Sequence, residues 1–428
     1  MVIKSLKGSI LYMRILLLTN YFPPEIGAAP HLFFDFGGYL VKKGYEVQVL
    51  TGLPSYNLRE TPKKYKKKLL MEEEMAGMKI IRIGGTHLPF SRKIAILRGA
   101  EHFWSSFMFF LGAFFIKKPD LILFYSPPLT SGVTAWLLGK IKGVPFIINV
   151  QDLFPQNAID LGILKNKVLI NLFLKIEKFV YEKAAFITVH SPKNKEYIEK
   201  RGIKNEKIKV IPNWVDTEKI TMGERINDFR KECKLGNKFV VSFAGVLGYS
   251  QDLDVVLETA NLLKENKNIL FLIVGEGPEK KRLREKSKKM KLENVKFLPM
   301  QPREKYPSIL HASDICLVTL RREVKMPVVP SKILSIMAAG RPIITCLNLD
   351  GDASDLINQA HCGYTLPPGD FKGLSDAILK LYHSLENQKE FGYNGRKYCE
   401  ENFSLDICIK KYIELFKIIK EKSNYGGI

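Results

Sequence analysis

Short runs of apolar residues alternate with longer amphipathic segments along most of the chain. The first run, Ile15–Thr19, is followed by a loop and by a segment from Pro30 to Lys43 whose apolar residues recur at helical spacing. Apolar runs joined by helical crossovers are typical of parallel sheets covered by helices. The pattern therefore predicts an α/β fold. Its first half is expected to contain further strands at Tyr45–Thr51, Ile80–Ile83, Leu121–Tyr125, Phe146–Val150 and Phe186–Val189.

A second series of the same kind begins at Phe239, where a strand runs into a turn at Gly245. We expect two doubly wound Rossmann-like domains that are joined near Ile211–Asp216 and face each other across a cleft. The expected bounds are 13–212 and 213–400, with a C-terminal helix at 401–428 that packs back toward the first domain. The second series comprises Phe239–Gly245, a helix at Asp254–Lys264, Leu270–Gly275, Val295–Leu298, Ile315–Val318 and Pro342–Thr345.

The composition fits a large globular protein that binds an anion. Of 428 residues, 46% are hydrophobic, which is enough for two cores, and the net charge is +22. This charge indicates an anionic partner, which could be nucleic acid, phospholipid headgroups or a phosphorylated substrate. The alternative is that it only reflects a lysine-rich composition common to proteins of the source organism. The six cysteines have no Cys-x-x-Cys spacing, so neither a zinc site nor a disulfide framework is expected. We interpret Met1–Tyr12 as an upstream extension without a secretory signal, and we expect a cytoplasmic protein.

An aromatic segment at Phe103–Ile116 is apolar nearly all round but too short to span a bilayer. It is predicted to be either a buried crossover helix, which we favour, or a helix at a membrane surface. The basic run Lys63–Lys68 adds a cationic surface to the same half of the chain. Further basic residues near the segment are Arg92, Lys93, Arg98, Lys117 and Lys118.

The stretch Pro330–Ile344 has the features of a phosphate site. A Pro-Ser turn leads into a short helix with Lys332 in its first turn, and the segment closes with Gly340-Arg341-Pro342 and a strand. Free backbone N–H groups and the positive dipole end of a helix attract an anion, and the lysine adds a full charge. A diphosphate would fit there; the alternative is an ordinary buried turn between a helix and a strand.

Several further stretches occur in an order that resembles the retaining GT-B glycosyltransferases of the family 4 type. They resemble in particular a bacterial subgroup of fucosyl and N-acetylfucosaminyl transferases that carries Pro-Ser-Lys at the position of Pro330–Lys332. Each stretch is common by itself, whereas the ordered set is specific. The matching stretches are Tyr21–Ala28, Asn149–Pro155, Val210–Asp216, Ala244–Gly248, Val274–Pro278, Pro330–Ile344 and His361–Asp370.

The resemblance implies a GT-B fold with an acceptor-binding first domain and a second domain for a nucleotide-sugar donor. It implies transfer of a sugar to an acceptor hydroxyl with retention, in cell-surface polysaccharide or glycolipid assembly, without a cofactor. A lipid-linked saccharide acceptor at an anionic membrane would make the protein peripheral on the inner face of the cell membrane. The alternative is a sugar-nucleotide epimerase on the same fold. A nucleic-acid-binding function is not expected, because no such motif accompanies the charge.

The reaction must stabilise the negative charge on the leaving diphosphate, and Lys332 with its helix start is the expected group. Asp152 is expected at a strand end, where it holds the acceptor hydroxyl or donor sugar, or else caps the next helix. Retention implies either a front-face internal return, which we favour because no second carboxylate is placed opposite Asp152, or a covalent intermediate. The residues expected to bind the donor are Gly27, Ala28, Gly245, Gly248, Gly275, Glu276, Ser331, Lys332 and Ser335.

The chain departs from many of these relatives at two positions. They carry two glutamates eight positions apart, where this sequence has Pro327 and Ser335. Ser335 can still bind a ribose hydroxyl, whereas proline offers no donor. Glu323 is a candidate replacement, and a solvated loop charge is the alternative. Because cationic and backbone groups can hold the diphosphate and the sequence has no histidine cluster, we expect no metal.

Overall fold

The computed structural model describes residues 13–25, 27–55, 62–66, 68–87 and 95–424, with side chains from 100 to 422 in the last range. The segment Met1–Tyr12 lies outside the described residues, as do Lys67, Arg92 and Lys93, and so does the side chain of Arg98. The chain divides into two compact units: 1–212 with 409–428, and 213–408.

The first unit is built on a mostly parallel sheet. In its described part eight strands lie in the order β3-β4-β2-β1-β5-β6-β7-β8, and only the edge pair β3–β4 is antiparallel. The inner strands are buried on both faces, which explains their unbroken apolar sequences. The strands are β1 Arg14–Leu18, β2 Glu46–Gly52, β3 Leu70–Met75, β4 Met78–Ile83, β5 Leu121–Ser126, β6 Phe146–Val150, β7 Phe186–Val189 and β8 Ile208–Val210.

Helices connect these strands and cover the sheet. The first, α1, begins two residues earlier than its apolar spacing indicated, so that Gly27 is its N-cap residue and Ala28 its first residue. The helices of this part are α1 Ala28–Lys42, α2 Ala95–Gly112, α3 Ser131–Lys142, α4 Gln156–Asp160, α5 Lys167–Lys183 and α6 Pro192–Glu199.

The second unit contains a six-stranded parallel sheet in the order β11-β10-β9-β12-β13-β14. Its strands are β9 Phe239–Ala244, β10 Ile269–Val274, β11 Val295–Leu298, β12 Ile315–Thr319, β13 Ile343–Cys346 and β14 Gly363–Leu366. Its helices are α7 Asp228–Glu232, α8 Asp254–Leu262, α9 Lys280–Lys289, α10 Tyr306–His311, α11 Ser331–Ala338, α12 Asp352–Ala360, α13 Phe371–Tyr382 and α14 Leu385–Asn402. Two Rossmann-like sheets confirm the predicted α/β class.

The last helix, α15 (Leu405–Asn424), contributes its residues from Ile409 onward to the first unit. Its Tyr412 packs edge-on against Phe36 of α1, with ring centroids 5.0 Å apart. The Tyr412 hydroxyl accepts a hydrogen bond of 2.7 Å from the Asn149 side chain and lies 3.0 Å from the Thr188 hydroxyl. These contacts fix the helix on the first sheet through buried polar groups of β6 and β7.

Strands β3, β8 and β14 were not predicted. None of them forms a continuous buried run, because all three lie at or beside a sheet edge where one side stays accessible. Strand β3 reads Leu-Met-Glu-Glu-Glu-Met, a polar sequence that does not signal a strand.

The preferred prediction of a buried crossover helix at Phe103–Ile116 was wrong for its outer face. Helix α2 buries Phe109 together with Ser105 and Ser106, whereas Phe107 is 51% and Phe114 70% exposed. The serine hydroxyls donate to the carbonyl of His102, a bond internal to the helix, so polar residues can face inward. The hydrophobic pattern alone could not reveal this reversal, because the segment is apolar on every side.

Candidate active site

Two glycine turns lie side by side at the carboxyl ends of β9 and β10. The Gly245 N–H donates to the carbonyl of Val274 over 2.9 Å, and the Leu247 N–H donates to the carbonyl of Glu276 over 2.8 Å. A Cβ atom at Gly275 would lie 1.9 Å from the Gly245 oxygen, and one at Gly277 would lie 2.3 Å from the Leu247 oxygen. Only glycine permits this approach of one backbone to the other.

Lys332 lies across the first of these turns. A Cβ atom at Gly245 would be 2.4 Å from the Cε atom of Lys332, so the glycine makes room for the lysine stem. The Nζ atom lies 3.9 Å from the centroid of the Phe243 ring and donates a hydrogen bond of 2.8 Å to the side-chain oxygen of Gln251. The lysine therefore reaches from the start of α11 to the carboxyl end of β9.

Desolvation lowers the pKa of Lys332 to about 7. Burial disfavours the charged amine, and neither of its two named neighbours is a carboxylate that would offset this cost. Such an amine gains most from a partner of opposite charge, so the arrangement favours an anion beside Lys332. The phosphate site predicted at Pro330–Ile344 stays a prediction, and the position of Lys332 across the Gly245 turn is compatible with it.

Gln251 and Phe243 were not predicted as members of this site. Phe243 is the penultimate residue of a continuous apolar strand, and Gln251 lies in a polar loop, so neither carries a sequence signal. The same loop is bonded to the end of β12, because the Arg321 N–H donates to the Ser250 carbonyl over 2.9 Å. The Arg321 side chain donates to Glu279 over 3.2 Å.

The remaining predicted donor residues of the second unit differ in their surroundings. Ser331 begins α11 and is half-buried, and Ser335 lies one turn later and hydrogen-bonds Tyr306. Glu276 is bound to Lys280 over 2.6 Å, so its carboxylate already has a cation. Glu323 is exposed and lies close enough to Asp252 to repel its carboxylate, which places it beside the Gln251 loop.

In the first unit, Gly27 and Ala28 lie at the start of α1, at the carboxyl end of β1. No side chain caps this helix start. The preceding loop is fixed by Glu25, which is 1% exposed and accepts hydrogen bonds from the N–H groups of Phe22 and Ser55. The buried Arg82 binds the same loop at the carbonyl of Pro23 and also binds Glu73. These supports were not predicted, because Arg82 lies within a strand far along the chain.

Asp152 follows β6 at the same edge of the first sheet. The next helix, α4, has Pro155 as its N-cap residue and no side-chain cap hydrogen bond, so Asp152 does not cap it. Burial raises the pKa of the Asp152 carboxyl group. Among the described residues no cation or hydrogen-bond donor binds this carboxylate, and the role predicted for Asp152 stays a prediction.

The second unit contains two Asp-x-Asp spacings, at Asp252–Asp254 and Asp350–Asp352. Arg282 and Lys286 bind Asp254, and the hydrogen bond from Arg282 is the main cause that lowers the pKa of its carboxyl group to about 2. Within the described ranges no three histidine, cysteine or acidic side chains are grouped so that they could hold a metal ion. The absence of a metal requirement stays a prediction.

Each half of the chain matches a model of a known protein family. Residues 31–219 match the Glycosyltransferase Family 4 model, and residues 224–398 match the model of Glycosyl transferases group 1. The first match lies mostly in the first unit and includes Asp152, and the second lies within the second unit and includes both glycine turns and Lys332; Gly27 and Ala28 precede the first match. The chain is a glycosyltransferase of the GT-B fold. Its two glycine turns and Lys332 belong to the group 1 half, and Asp152 belongs to the family 4 half.

Two relatives of this glycosyltransferase are themselves named as glycosyltransferases. The putative colanic acid biosynthesis glycosyl transferase WcaI of Escherichia coli K12 is 26% identical over 77% of this chain and 82% of its own length. A UDP-Gal:alpha-D-GlcNAc-diphosphoundecaprenol alpha-1,3-galactosyltransferase of Escherichia coli is 24% identical over 62% and 67% of the two chains.

A solved structure gives the same fold assignment. The sucrose-phosphate synthase of Thermosynechococcus elongatus superposes with a TM-score of 0.76 and covers 96% of this glycosyltransferase and 99% of its own chain. At 17% sequence identity, this likeness establishes the fold.

The close packing of the glycine turns predicts a sharp difference between two substitutions. Gly275→Ala places a methyl group against the Gly245 carbonyl and should destabilise the second unit by about 3 kcal/mol. In Gly248→Ala the nearest atom to the new Cβ is a Val246 methyl carbon at 3.8 Å, so its stability should stay within about 0.5 kcal/mol of wild type. Urea unfolding measures both. Equal stability of the two variants would contradict the packing.

Proposed function

We propose that this glycosyltransferase transfers a sugar from a nucleotide-sugar donor to an acceptor hydroxyl with retention of configuration. The observation that carries the proposal is the desolvated Lys332, which lies across the Gly245 turn without a carboxylate on its amine. A donor diphosphate supplies the negative charge that this amine lacks. Because the charge grows as the glycosidic bond breaks, the lysine stabilises the transition state more than the bound donor.

The donor's other groups have candidate partners on the same edge of the second sheet. Backbone N–H groups of the Gly245–Gly248 turn and of the Ser331 helix start would add hydrogen bonds to phosphate oxygens. Gly275 keeps the second turn close enough for Glu276 to approach a bound donor, and Ser335 would hydrogen-bond a ribose hydroxyl. Gly27 and Ala28, at the N-terminus of α1, are further candidate donor-binding residues. With these groups the leaving diphosphate needs no metal.

Retention fits a front-face internal return. The departing phosphate oxygen takes the proton of the acceptor hydroxyl on the same face of the sugar. Asp152, with a carboxylate that caps no helix, orients the acceptor hydroxyl or the donor sugar. A covalent intermediate would require a second carboxylate as nucleophile opposite Asp152. The described loop that contains Asp152, residues 151–155, has no other carboxylate.

The acceptor is proposed to be a lipid-linked saccharide at a membrane surface, in cell-surface polysaccharide or glycolipid assembly. The two relatives reported above support this class, since one name includes colanic acid biosynthesis and the other a diphosphoundecaprenol-linked acceptor. The Pro-Ser-Lys segment supports a hexose-derived or acetylated amino sugar, as in the fucosyl and N-acetylfucosaminyl subgroup. An epimerase is not favoured, because both family models and these relatives are glycosyltransferases.

A panel of nucleotide sugars tests the proposal directly. The purified protein is incubated with each donor and with short-chain lipid diphosphate saccharides, and the products are separated and examined by NMR. We expect one donor to yield a glycoside whose anomeric configuration matches that of the donor. A free epimer of the donor sugar would instead establish the epimerase, and an inverted glycoside would exclude retention.

Lys332 should be needed for turnover and not for folding. Lys332→Ala removes the charge that stabilises the leaving diphosphate and should lower kcat/KM about 100-fold or more. Its unfolding transition should stay near that of wild type, because the removed amine is a desolvated group that contributes little to stability. A folded Lys332→Ala protein with normal turnover would exclude this role.

Asp152 is predicted to act on substrate. Asp152→Asn keeps the shape of the side chain but removes its charge, and should lower kcat by about 100-fold without a large loss of stability. Asn166, which caps α5 through its side chain, provides a control. Asn166→Ala should lower the free energy of unfolding by about 1 kcal/mol and leave kcat unchanged. If Asp152→Asn behaved like this control, the carboxylate would have no role in the reaction.

A further inference from the structure

The outer face of α2 and the following turn is a contiguous aromatic surface. Phe103, Trp104, Phe107, Leu111, Phe114 and Phe115 form what we call the aromatic face, and all six are at least 40% exposed. On the opposite side of the helix, the Ser106 hydroxyl lies 2.8 Å from the Thr130 hydroxyl, and the Thr134 hydroxyl donates to the Ser106 carbonyl. The helix thus directs polar groups into the protein and aromatic rings outward.

The aromatic face continues onto the start of α5. The Phe103 ring stacks on the buried Phe173 with centroids 5.7 Å apart. One residue before Phe173, Leu172 is 41% exposed, and it begins a second group of accessible apolar side chains. The others in this group are Leu161, Ile163, Val168 and Leu169.

On its other side, the aromatic face meets the basic segment before β3. The Trp104 indole N–H donates to the Gly85 carbonyl over 2.6 Å, and the Gly84 N–H donates to the Leu69 carbonyl over 2.8 Å. Leu69 is 80% exposed. Lys64 in the basic segment is paired with Glu73, so the segment presents less free charge than its sequence indicates.

Exposed lysines accompany these apolar residues, and one of them, Lys117, lies 3.9 Å from the Glu46 carboxylate. Residues 103–118 and 161–176 contain no aspartate or glutamate. Their exposed lysines lie after α2 and around the start of α5: Lys117, Lys118, Lys165, Lys167 and Lys175. A second copy of the chain would bring these like charges together, whereas an anionic lipid surface neutralises them.

We propose that the aromatic face, together with the accessible apolar side chains of residues 161–172, docks on a bilayer of anionic phospholipid. This deepens the proposed function, on which it rests for the need to reach a lipid-linked acceptor. Aromatic rings prefer the boundary between headgroups and acyl chains, and lysines contact the headgroups around them. Docking is interfacial, since none of the described helices is long and apolar enough to cross a membrane.

Vesicle co-sedimentation of the full chain tests this surface. Vesicles contain either phosphatidylglycerol with phosphatidylethanolamine or phosphatidylcholine alone. The face variant carries Phe107→Ser and Phe114→Ser, and its control carries Leu262→Ser and Leu385→Ser, two exposed leucines of the second unit. The charge variant changes Lys117, Lys118, Lys165 and Lys167 to Gln. Its control makes the same change at the exposed Lys264, Lys267, Lys288 and Lys289.

We expect wild type and both controls to bind the anionic vesicles, with less binding at high salt and little on phosphatidylcholine. The face variant and the charge variant should each lose at least tenfold in partition coefficient. On a water-soluble short-chain acceptor, all variants should turn over at the wild-type rate. Failure of the docking proposal can thus be distinguished from failure of the proposed function, because vesicle binding is measured without transferase activity.

Two results would overturn the proposal. One is wild-type protein that stays in the supernatant with anionic vesicles at low salt. The other is a charge control whose vesicle binding falls as much as that of the charge variant. Binding would then depend on the net charge of the protein and not on this surface. If the protein instead forms a dimer in sedimentation velocity that the face variant abolishes, with no vesicle binding, the aromatic face is a contact between copies.

Discussion

The backbone contact between two glycine turns is the constraint on which the donor side of this glycosyltransferase depends. Gly275 lies against the carbonyl of Gly245, and Gly245 in turn leaves space for the stem of Lys332. A side chain at either position would separate the turns or displace the lysine. The contact holds an amine at the edge of the second sheet, where its pKa falls to about 7 because it is desolvated. Folding therefore places a desolvated amine beside the Gly245 turn, and a negatively charged ligand would favour its charged form.

The first unit uses charge differently. Glu25 and Arg82 are buried, and both form hydrogen bonds with backbone groups of the loop between β1 and α1. Their charges therefore stabilise the conformation of that loop. Asp152 at the same sheet edge has no such partner among the described residues, and burial raises the pKa of its carboxyl group. Buried charges thus support the loops, whereas neither Lys332 nor Asp152 has an oppositely charged partner among the described residues. Perturbed and unpaired ionisable groups of this kind are characteristic of functional sites.

The fold was largely predictable because its central strands are buried on both faces and read as unbroken apolar runs. The edge strands β3 and β14 were missed because accessible positions interrupt that pattern. The position of Lys332 in the first turn of α11 could be predicted, because the Pro-Ser turn before it is a local signal for a helix start. Gln251 and Phe243 could not, because they meet Lys332 only through the tertiary fold. Which side of α2 packs was also unpredictable, since its aromatic residues lie on nearly every side and its buried polar residues are Ser105 and Ser106.

The most direct measurement of the central claim is the proton balance when a nucleoside diphosphate binds. With a pKa of about 7, Lys332 is mostly neutral in the free protein at pH 8. The diphosphate favours the charged amine, so binding should take up close to one proton at pH 8 and weaken as the pH rises above 7. Calorimetric titration in buffers of different ionisation enthalpy measures this uptake, which Lys332→Met should abolish together with most of the affinity. Diphosphate binding without proton uptake, and with equal affinity in Lys332→Met, would contradict the account.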